Sequence, residues 1–208
     1  MAFKAANDLQ KIIDESGYKK HFSQWYLTQV KSDIFIATGM NQQAIAFIEA
    51  LQIDPTYENA TIEYRSADFL RLAKAHYNLM EFEPNHDNLW QKNIQKALNL
   101  HVPKEAKTND FFQEVSFLNA RKKDNLMSIL LFKAKTCFEY YKKTNNREYL
   151  QIAIHSFQEA HKNLKLLGAR SDEDAFIKAE EFDQFYNDLL FSFHDVWTQK
   201  RDSSVFYK

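Results

Sequence analysis

His155, Glu159 and His161 come nearest, by type and spacing, to a chemical site, either a metal-binding site or an acid–base pair. Residues four apart share one face of a helix, so His155 and Glu159 would project together. A zinc site needs further ligands at a matching spacing, and the sequence offers none. We therefore interpret this face as a solvated helix surface. A small helical metal protein or enzyme using these three residues is kept as an alternative.

The single cysteine, Cys137, and the other histidines give weaker signals. A nucleophilic cysteine needs a neighbouring base and a lowered pKa, whereas Cys137 lies in an apolar stretch and is predicted to be a small buried hydrophobe. His76 and His86 flank the end of a predicted helix without a cysteine or carboxylate motif, so packing and capping account for them. His194 and Asp195 are neighbours in sequence and therefore point to different sides of a helix. We predict no catalytic residue, no metal and no cofactor.

Charge and composition restrict the function further. The 208 residues include 27 Lys and Arg against 28 Asp and Glu, so no general attraction to nucleic acid or to an anionic membrane is expected. Three isolated glycines cannot form a Gly-rich phosphate loop, and no apolar run approaches the ~18 residues of a membrane span. With one cysteine and no signal-peptide pattern, the chain is expected to be soluble and cytoplasmic. The oligomeric state is left open.

The same composition predicts an all-α chain, because three Gly and three Pro leave little room for the tight turns of a β domain. Apolar residues recur at helical spacing, and residues 101–110 form a polar surface loop between two helical regions. Asp124 and Gly168 are predicted caps, and residues 202–204 suggest a further helix start. The predicted helices span residues 3–15, 18–38, 41–53, 57–82, 85–100, 111–120, 126–141, 149–167 and 171–196.

The turn Thr144-Asn145-Asn146 organises the second half of the chain, since it joins two of these helices into a hairpin. The small residues Ala153 and Ala160 would let a neighbouring backbone approach closely. A helical hairpin cannot bury both of its faces alone, so copies are expected. Weaker relatives lie at residues 39–55 and 72–98.

A resemblance to tetratricopeptide repeats begins in the first of these relatives. The spacing of Phe47, Ile94 and Phe157 exceeds the ~34 residues of that repeat, so the units are degenerate. The residues that resemble the second half of a repeat are Ala37-Thr38-Gly39-Met40-Asn41, Ala44, Phe47, Ala50-Leu51 and Asp54-Pro55.

The second half of the chain is similar to the helical region that precedes the caspase-like CHAT domain in bacterial tetratricopeptide-CHAT proteins. The similarity implies a right-handed α-solenoid of degenerate tetratricopeptide-like antiparallel helix pairs. Residues 1–208 would be a single domain and a fragment of a longer chain. The residues that carry the similarity are Lys133-Ala134-Lys135, Thr144-Asn145-Asn146, Tyr149-Leu150, Ala153, Phe157 and Ala160, followed by a helix after Ser171.

The resemblance implies a regulatory module that docks a peptide or a partner domain, as the arm of a CHAT-type cysteine peptidase. A free-standing adaptor protein is the alternative. In tetratricopeptide arrays the first helix of each pair builds the concave face, which here nominates Arg71, Lys74, Asn78, Lys135 and Glu139. Lys74 and Lys135 could hold a carboxylate of a partner peptide by charge-assisted hydrogen bonds, although ordinary exposed lysines are the simpler interpretation.

Overall fold

The protein is described here from a computed structural model that covers residues 21–82, 86–117 and 125–168, together with residues 4, 7, 8, 11, 15, 183, 186, 187, 190, 194 and 198. Regular structure in these residues is helical, and no strand occurs in them, which confirms the all-α prediction. Two short 3-10 helices cover Pro55–Asn59 and Lys104–Ala106. The α-helices of the continuous ranges are α1 (His21–Ala37), α2 (Asn41–Ile53), α3 (Ile62–Leu79), α4 (Asp87–Asn99), α5 (Leu126–Thr144) and α6 (Arg147–Gly168).

The chain divides into two compact units, residues 1–111 and residues 112–208. In the first unit, α1 packs against α2, α2 against α3 and α3 against α4, and α1 also contacts α3. In the second unit, α5 packs along α6. The arrangement of all pairs in one solenoid domain stays a prediction.

The two tight turns between helices depend on residues that tolerate the left-handed conformation. Gly39 has a φ of +79° after α1, and the N–H of Met40 then donates to the carbonyl of Phe35 over 2.8 Å. Asn145 has a φ of +58° after α5, and its N–H donates to the carbonyl of Tyr141 over 2.8 Å. Glycine and asparagine adopt this conformation at the lowest cost, so both turns follow from the sequence. The predicted turn at residues 144–146 is confirmed.

Each unit has an apolar core that includes its small residues. Ala153 and Ala160, which were predicted to allow close approach, are buried in the second unit. Trp90 is buried in the first unit and packs edge-to-face against both Tyr77 and Phe111. The residues without exposed surface include Ala44, Ile48, Ala73, Ala75, Ile94 and Ala97 in the first unit, and Leu126, Ile129, Ala134 and Tyr141 in the second.

Two predicted helices differ from the structure more than the others do. The helix predicted from residue 57 begins at Ile62, because Pro55 opens a 3-10 helix instead, in which the side chain of Asp54 accepts the N–H of Thr56 over 2.8 Å. The helix predicted at 111–120 is wrong for residues 111–117, which contain a turn but no helix. There the N–H of Phe117 bonds to a side chain of α6 rather than to a carbonyl one turn earlier.

Some predictions lie outside the described residues. They are the apolar stripe of the helix at 3–15, the cap at Asp124, most of the helix at 171–196 and the helix start at 202–204. Residues 4, 7, 8, 11 and 15 are helical and exposed, and residue 15 closes an ion pair of 3.7 Å with Lys11. None of the described helices combines the length and the apolar character needed to cross a membrane.

Candidate binding site

Three of the five predicted binding residues lie on α3, where two of them bond to neighbouring helices. The guanidinium of Arg71 donates from Nε and Nη2 to the two carboxylate oxygens of Asp33 on α1, each over 2.8 Å. The side chain of Asn78 donates to that of Asn41, the first residue of α2, over 3.1 Å. This row therefore faces α1 and α2, and it joins the helices while presenting polar groups.

Lys74 lies between these two residues on α3 and is half-buried. Burial lowers the pKa of its amine, while the carboxylate of Asp33 opposes that shift and the guanidinium of Arg71 adds to it. The buried ammonium of Lys74 has already lost part of its hydration. Binding a carboxylate therefore costs it less hydration than it costs an exposed lysine, and the net gain in free energy is larger.

The other two predicted residues lie in the second unit. Lys135 is exposed on α5. Glu139, one turn later, accepts a bond of 2.7 Å from the amine of Lys142. Lys74 and Lys135 therefore belong to different compact units, and the predicted set of five is divided between them.

An apolar groove of about 540 Å³ runs between α1 and α2 in the first unit. Phe47 on its wall is 41% exposed, which is high for a large aromatic side chain. The ring of Phe47 packs against Phe35 at 5.4 Å between centroids, and the amine of Lys31 lies 6.0 Å from its centre. The described residues that line the groove are Leu27, Thr28, Lys31, Ala46, Phe47, Ala50 and Leu51.

A buried carboxyl group, Asp68, joins three elements of the first unit and was missed by the sequence analysis. It is 1% exposed and accepts bonds from the amide of Gln29 over 2.9 Å and from the hydroxyl of Tyr57 over 3.1 Å. Arg71 lies 3.7 Å away. Burial raises the pKa of Asp68 to about 6, although these three partners oppose the shift. The sequence did contain a signal for this burial. Asp68 lies four residues before Leu72, on the apolar face of α3.

His76, in the last turn of α3, and His86, directly before α4, form a pair. Their Nδ1 atoms are 2.7 Å apart, so one ring donates a proton and the other accepts it. Burial, and then the neighbouring ring of His86, lower the pKa of His76 to about 4. His76 is therefore uncharged at neutral pH, and the interpretation of the two residues as packing agrees with this geometry.

The predicted solvated face of α6 is covered by residues 112–117, here called the strap, and that interpretation is wrong for Glu159. Glu159 is 1% exposed, and its carboxylate accepts the N–H of Phe117 over 2.8 Å and the amine of Lys162 over 2.7 Å. One turn earlier, Nε2 of His155 donates to the carbonyl of Val115 over 3.2 Å. Residues 113–117 were predicted to be part of a helix at 111–120, so this contact of their main chain with α6 was not foreseen.

The chemical alternatives can be compared with this geometry. His155 and Glu159 both bond to the strap, and no group of three or more His, Cys, Asp or Glu side chains among the described residues is placed to hold a metal ion. Cys137 is fully buried, and burial raises the pKa of its thiol to about 12. A thiol in this state is not a nucleophile at neutral pH, which agrees with its prediction as a buried hydrophobe.

Comparisons of the chain with protein-family models, with curated proteins and with solved structures found no match. The resemblance to tetratricopeptide-CHAT proteins therefore stays a prediction. The contacts and charges within each unit are the basis on which a function can be proposed.

Proposed function

We propose that the chain is a protein-interaction module of degenerate tetratricopeptide-like helix pairs, arranged as a right-handed α-solenoid that docks a peptide or a partner domain. The observation that carries the proposal is the contact of α1 with α3, in addition to the contacts between consecutive helices. First helices of successive pairs are then neighbours. Repeat proteins bind their partners on extended surfaces built in this way.

The surface proposed for docking follows the polar row of α3 and its partner on α1. Arg71 and Lys74 supply positive charge there, and the side chain of Arg71 is 16% exposed beside the more exposed side chain of Asp33. A carboxylate of a partner would form charge-assisted hydrogen bonds with these two groups. An acidic or C-terminal segment of a protein is therefore the proposed ligand of this surface, and Lys135 is proposed to play the same part on α5.

Site-specific photo-crosslinking tests this proposal. The photoreactive residue p-benzoylphenylalanine is placed at position 74 or 135, and at Lys92 and Glu148, exposed on α4 and α6, as controls. We expect one protein to be crosslinked in cells at the first two positions and not at the controls. We also expect Lys74→Glu to weaken its binding at least tenfold. Equal crosslinking at all four positions, or an unchanged affinity, would remove these residues from the site.

The resemblance to tetratricopeptide-CHAT proteins supports a narrower proposal, in which the module is the arm of a CHAT-type cysteine peptidase. Binding at the arm would then regulate the peptidase. A free-standing adaptor is the second candidate, and the two candidates differ in the gene sequence beyond the codon of Lys208. An open reading frame that encodes a His and a Cys in a caspase-like context favours the arm, and a stop codon directly after Lys208 rejects it.

A further inference from the structure

The strap, residues 112–117, bonds to α6 through its main chain at two points. The N–H of Phe117 donates to the carboxylate of Glu159 over 2.8 Å, and the carbonyl of Val115 accepts from Nε2 of His155 over 3.2 Å. Neither of these two bonds involves a side chain of the strap, although Nδ1 of His155 also lies 3.6 Å from the carboxylate of Glu114. Through the two bonds α6 contacts groups that every peptide carries.

The spacing of these two bonds matches an extended peptide. His155 and Glu159 are four residues apart, or about 6 Å along a helix axis. Residues two apart in an extended chain, such as Val115 and Phe117, are about 6.6 Å apart and point their main-chain groups to the same edge. One turn of α6 thus places a donor, His155, and an acceptor, Glu159, at about the spacing of main-chain groups along one edge of an extended peptide.

The side chains alternate in the same way over residues 114–117 of the strap, whereas Gln113 is exposed and Phe112 lies in a turn. Phe117 is buried, Ser116 and Glu114 are exposed, and Val115 is half-buried. At the other end, the ring of Phe112 packs edge-to-face against Tyr149, with centroids 5.0 Å apart. The aromatic residues at the two ends, five positions apart, add sequence preference to the main-chain contacts.

Two features of the surroundings of the strap suit peptide exchange. Glu159 carries its own counter-ion, since its second oxygen accepts from Lys162 over 2.7 Å, and the carboxylate keeps this partner when the strap leaves. Beside the strap lies a polar cavity of about 240 Å³ lined by Glu114, Gln151, Ile154, His155 and Gln158. A side chain of a longer peptide has room there.

From these contacts we propose that the α6 face around Tyr149, His155 and Glu159 is a recognition site for an extended segment of a partner protein with two aromatic residues five positions apart. The strap occupies this site as an internal ligand. The inference rests on the proposed function, since it names the partner's chemical class. It concerns a different surface from that of Lys74.

Fluorescence anisotropy with the full chain tests the proposal. The probe is a labelled synthetic peptide of residues 111–118, and the proteins are the wild type and Phe112→Ala, which weakens the strap while the peptide keeps its phenylalanine. We expect at least tenfold tighter binding to the variant, because the internal ligand competes less well. A folded variant that does not bind the peptide would overturn the proposal.

A matched pair of peptides tests the main-chain contact. N-methylation of the amide that corresponds to Phe117 removes the N–H that Glu159 accepts, and methylation at Ser116 serves as the control. We expect at least a tenfold loss for the first peptide and no loss for the second. Equal affinities would overturn the proposal.

Three further outcomes are informative. If Phe112→Ala does not fold, hydrogen exchange of the wild type decides: the Phe117 amide should exchange at least tenfold faster than those of Ile152 and Ala153, and equal protection would overturn the proposal. A wild-type dimer that Glu159→Ala dissociates would show that the strap of a second copy fills the site, and would overturn the assignment to a partner. If position 74 gives no specific crosslink but the peptide still binds, only the proposed docking surface on α3 is rejected.

Discussion

Asp68 in the first unit and Glu159 in the second are both 1% exposed, yet they are held in different ways. Asp68 accepts from two neutral side chains, Gln29 and Tyr57, and its nearest positive charge is 3.7 Å away. Glu159 accepts from a lysine at 2.7 Å and from a backbone N–H. The first carboxyl group connects elements of the fold, and the second connects a helix to a segment without regular structure.

This difference separates a structural carboxyl group from one suited to recognition. The partners of Asp68 come from α1, from the 3-10 helix at Pro55–Asn59 and from α3, so its loss affects the whole first unit. The strap contact at Glu159 can open while Lys162 keeps the charge paired. We therefore expect global effects from changes at Asp68 and local effects from changes at Glu159.

The largest effect is expected for Asp68→Ala, which leaves the amide of Gln29 and the hydroxyl of Tyr57 without their acceptor in a buried site. Removing one partner of such a network costs about 4 kcal/mol of unfolding free energy. Urea denaturation measures it in a Trp197→Phe background, so that fluorescence reports on Trp25 and Trp90 of the first unit.

The control for this measurement is Glu58→Ala, which removes an exposed carboxylate from the neighbouring 3-10 helix. Its cost should stay below about 0.5 kcal/mol, as for most surface changes. A loss at Asp68 no larger than the control's would mean that the network does not hold α1 and α3 together.

The second effect is a pH dependence of the first unit. The folded state holds the proton of Asp68 with a pKa of about 6, whereas the ordinary value is 3.8. The folded state therefore binds more protons between these values, and this group lowers the unfolding free energy as pH rises through that window, by about 3 kcal/mol.

His76 acts in the opposite direction, because its pKa is lowered to about 4 and the unfolded chain binds more protons above that value. The measurement is therefore the difference in unfolding free energy between the wild type and Asp68→Asn at pH 4, 5, 6 and 7, in which His76 cancels. We expect the wild type to lose stability relative to the variant as pH rises. A constant difference would contradict the raised pKa.

The helices themselves could be predicted from local signals. Asp54-Pro55 ends α2, Gly39 and Asn145 permit the left-handed turns, and apolar periodicity locates α2, α5 and α6. These signals act between residues that are close in sequence. They therefore need no knowledge of the tertiary contacts.

The buried polar contacts could not be predicted in the same way. Gln29 and Asp68 are 39 residues apart, and Phe117 and Glu159 are 42 residues apart. A local pattern marks each carboxylate as exposed, since acids are rarely buried without partners. The local sequence does not indicate which distant donor will bond to the carboxylate. For the same reason the row of Arg71, Lys74 and Asn78 was assigned to one helix, whereas its bonds to Asp33 and Asn41 were not foreseen.

The third prediction concerns Glu159→Ala, which removes the acceptor of the Phe117 amide. We expect a local loss of about 2 kcal/mol, or roughly 30-fold faster hydrogen exchange of that amide, with the amides of α3 unchanged. Glu148→Ala, at an exposed position on the same helix, is the matched control. If exchange rises equally throughout the chain, Glu159 is as structural as Asp68 and the contrast between them fails.

The smallest effect on stability is expected for Asp33→Ala, since the side chain of Asp33 is 55% exposed and solvent screens its ion pair with Arg71. The loss should stay below about 1 kcal/mol. The pKa of Lys74 should fall further, because the carboxylate that opposes its lowering is gone, and a side-chain NMR titration measures this shift. Asp33 also competes with any partner carboxylate for the guanidinium of Arg71. The same variant should therefore bind an acidic partner more tightly, and weaker binding would show that Asp33 positions Arg71 for the partner instead of competing with it.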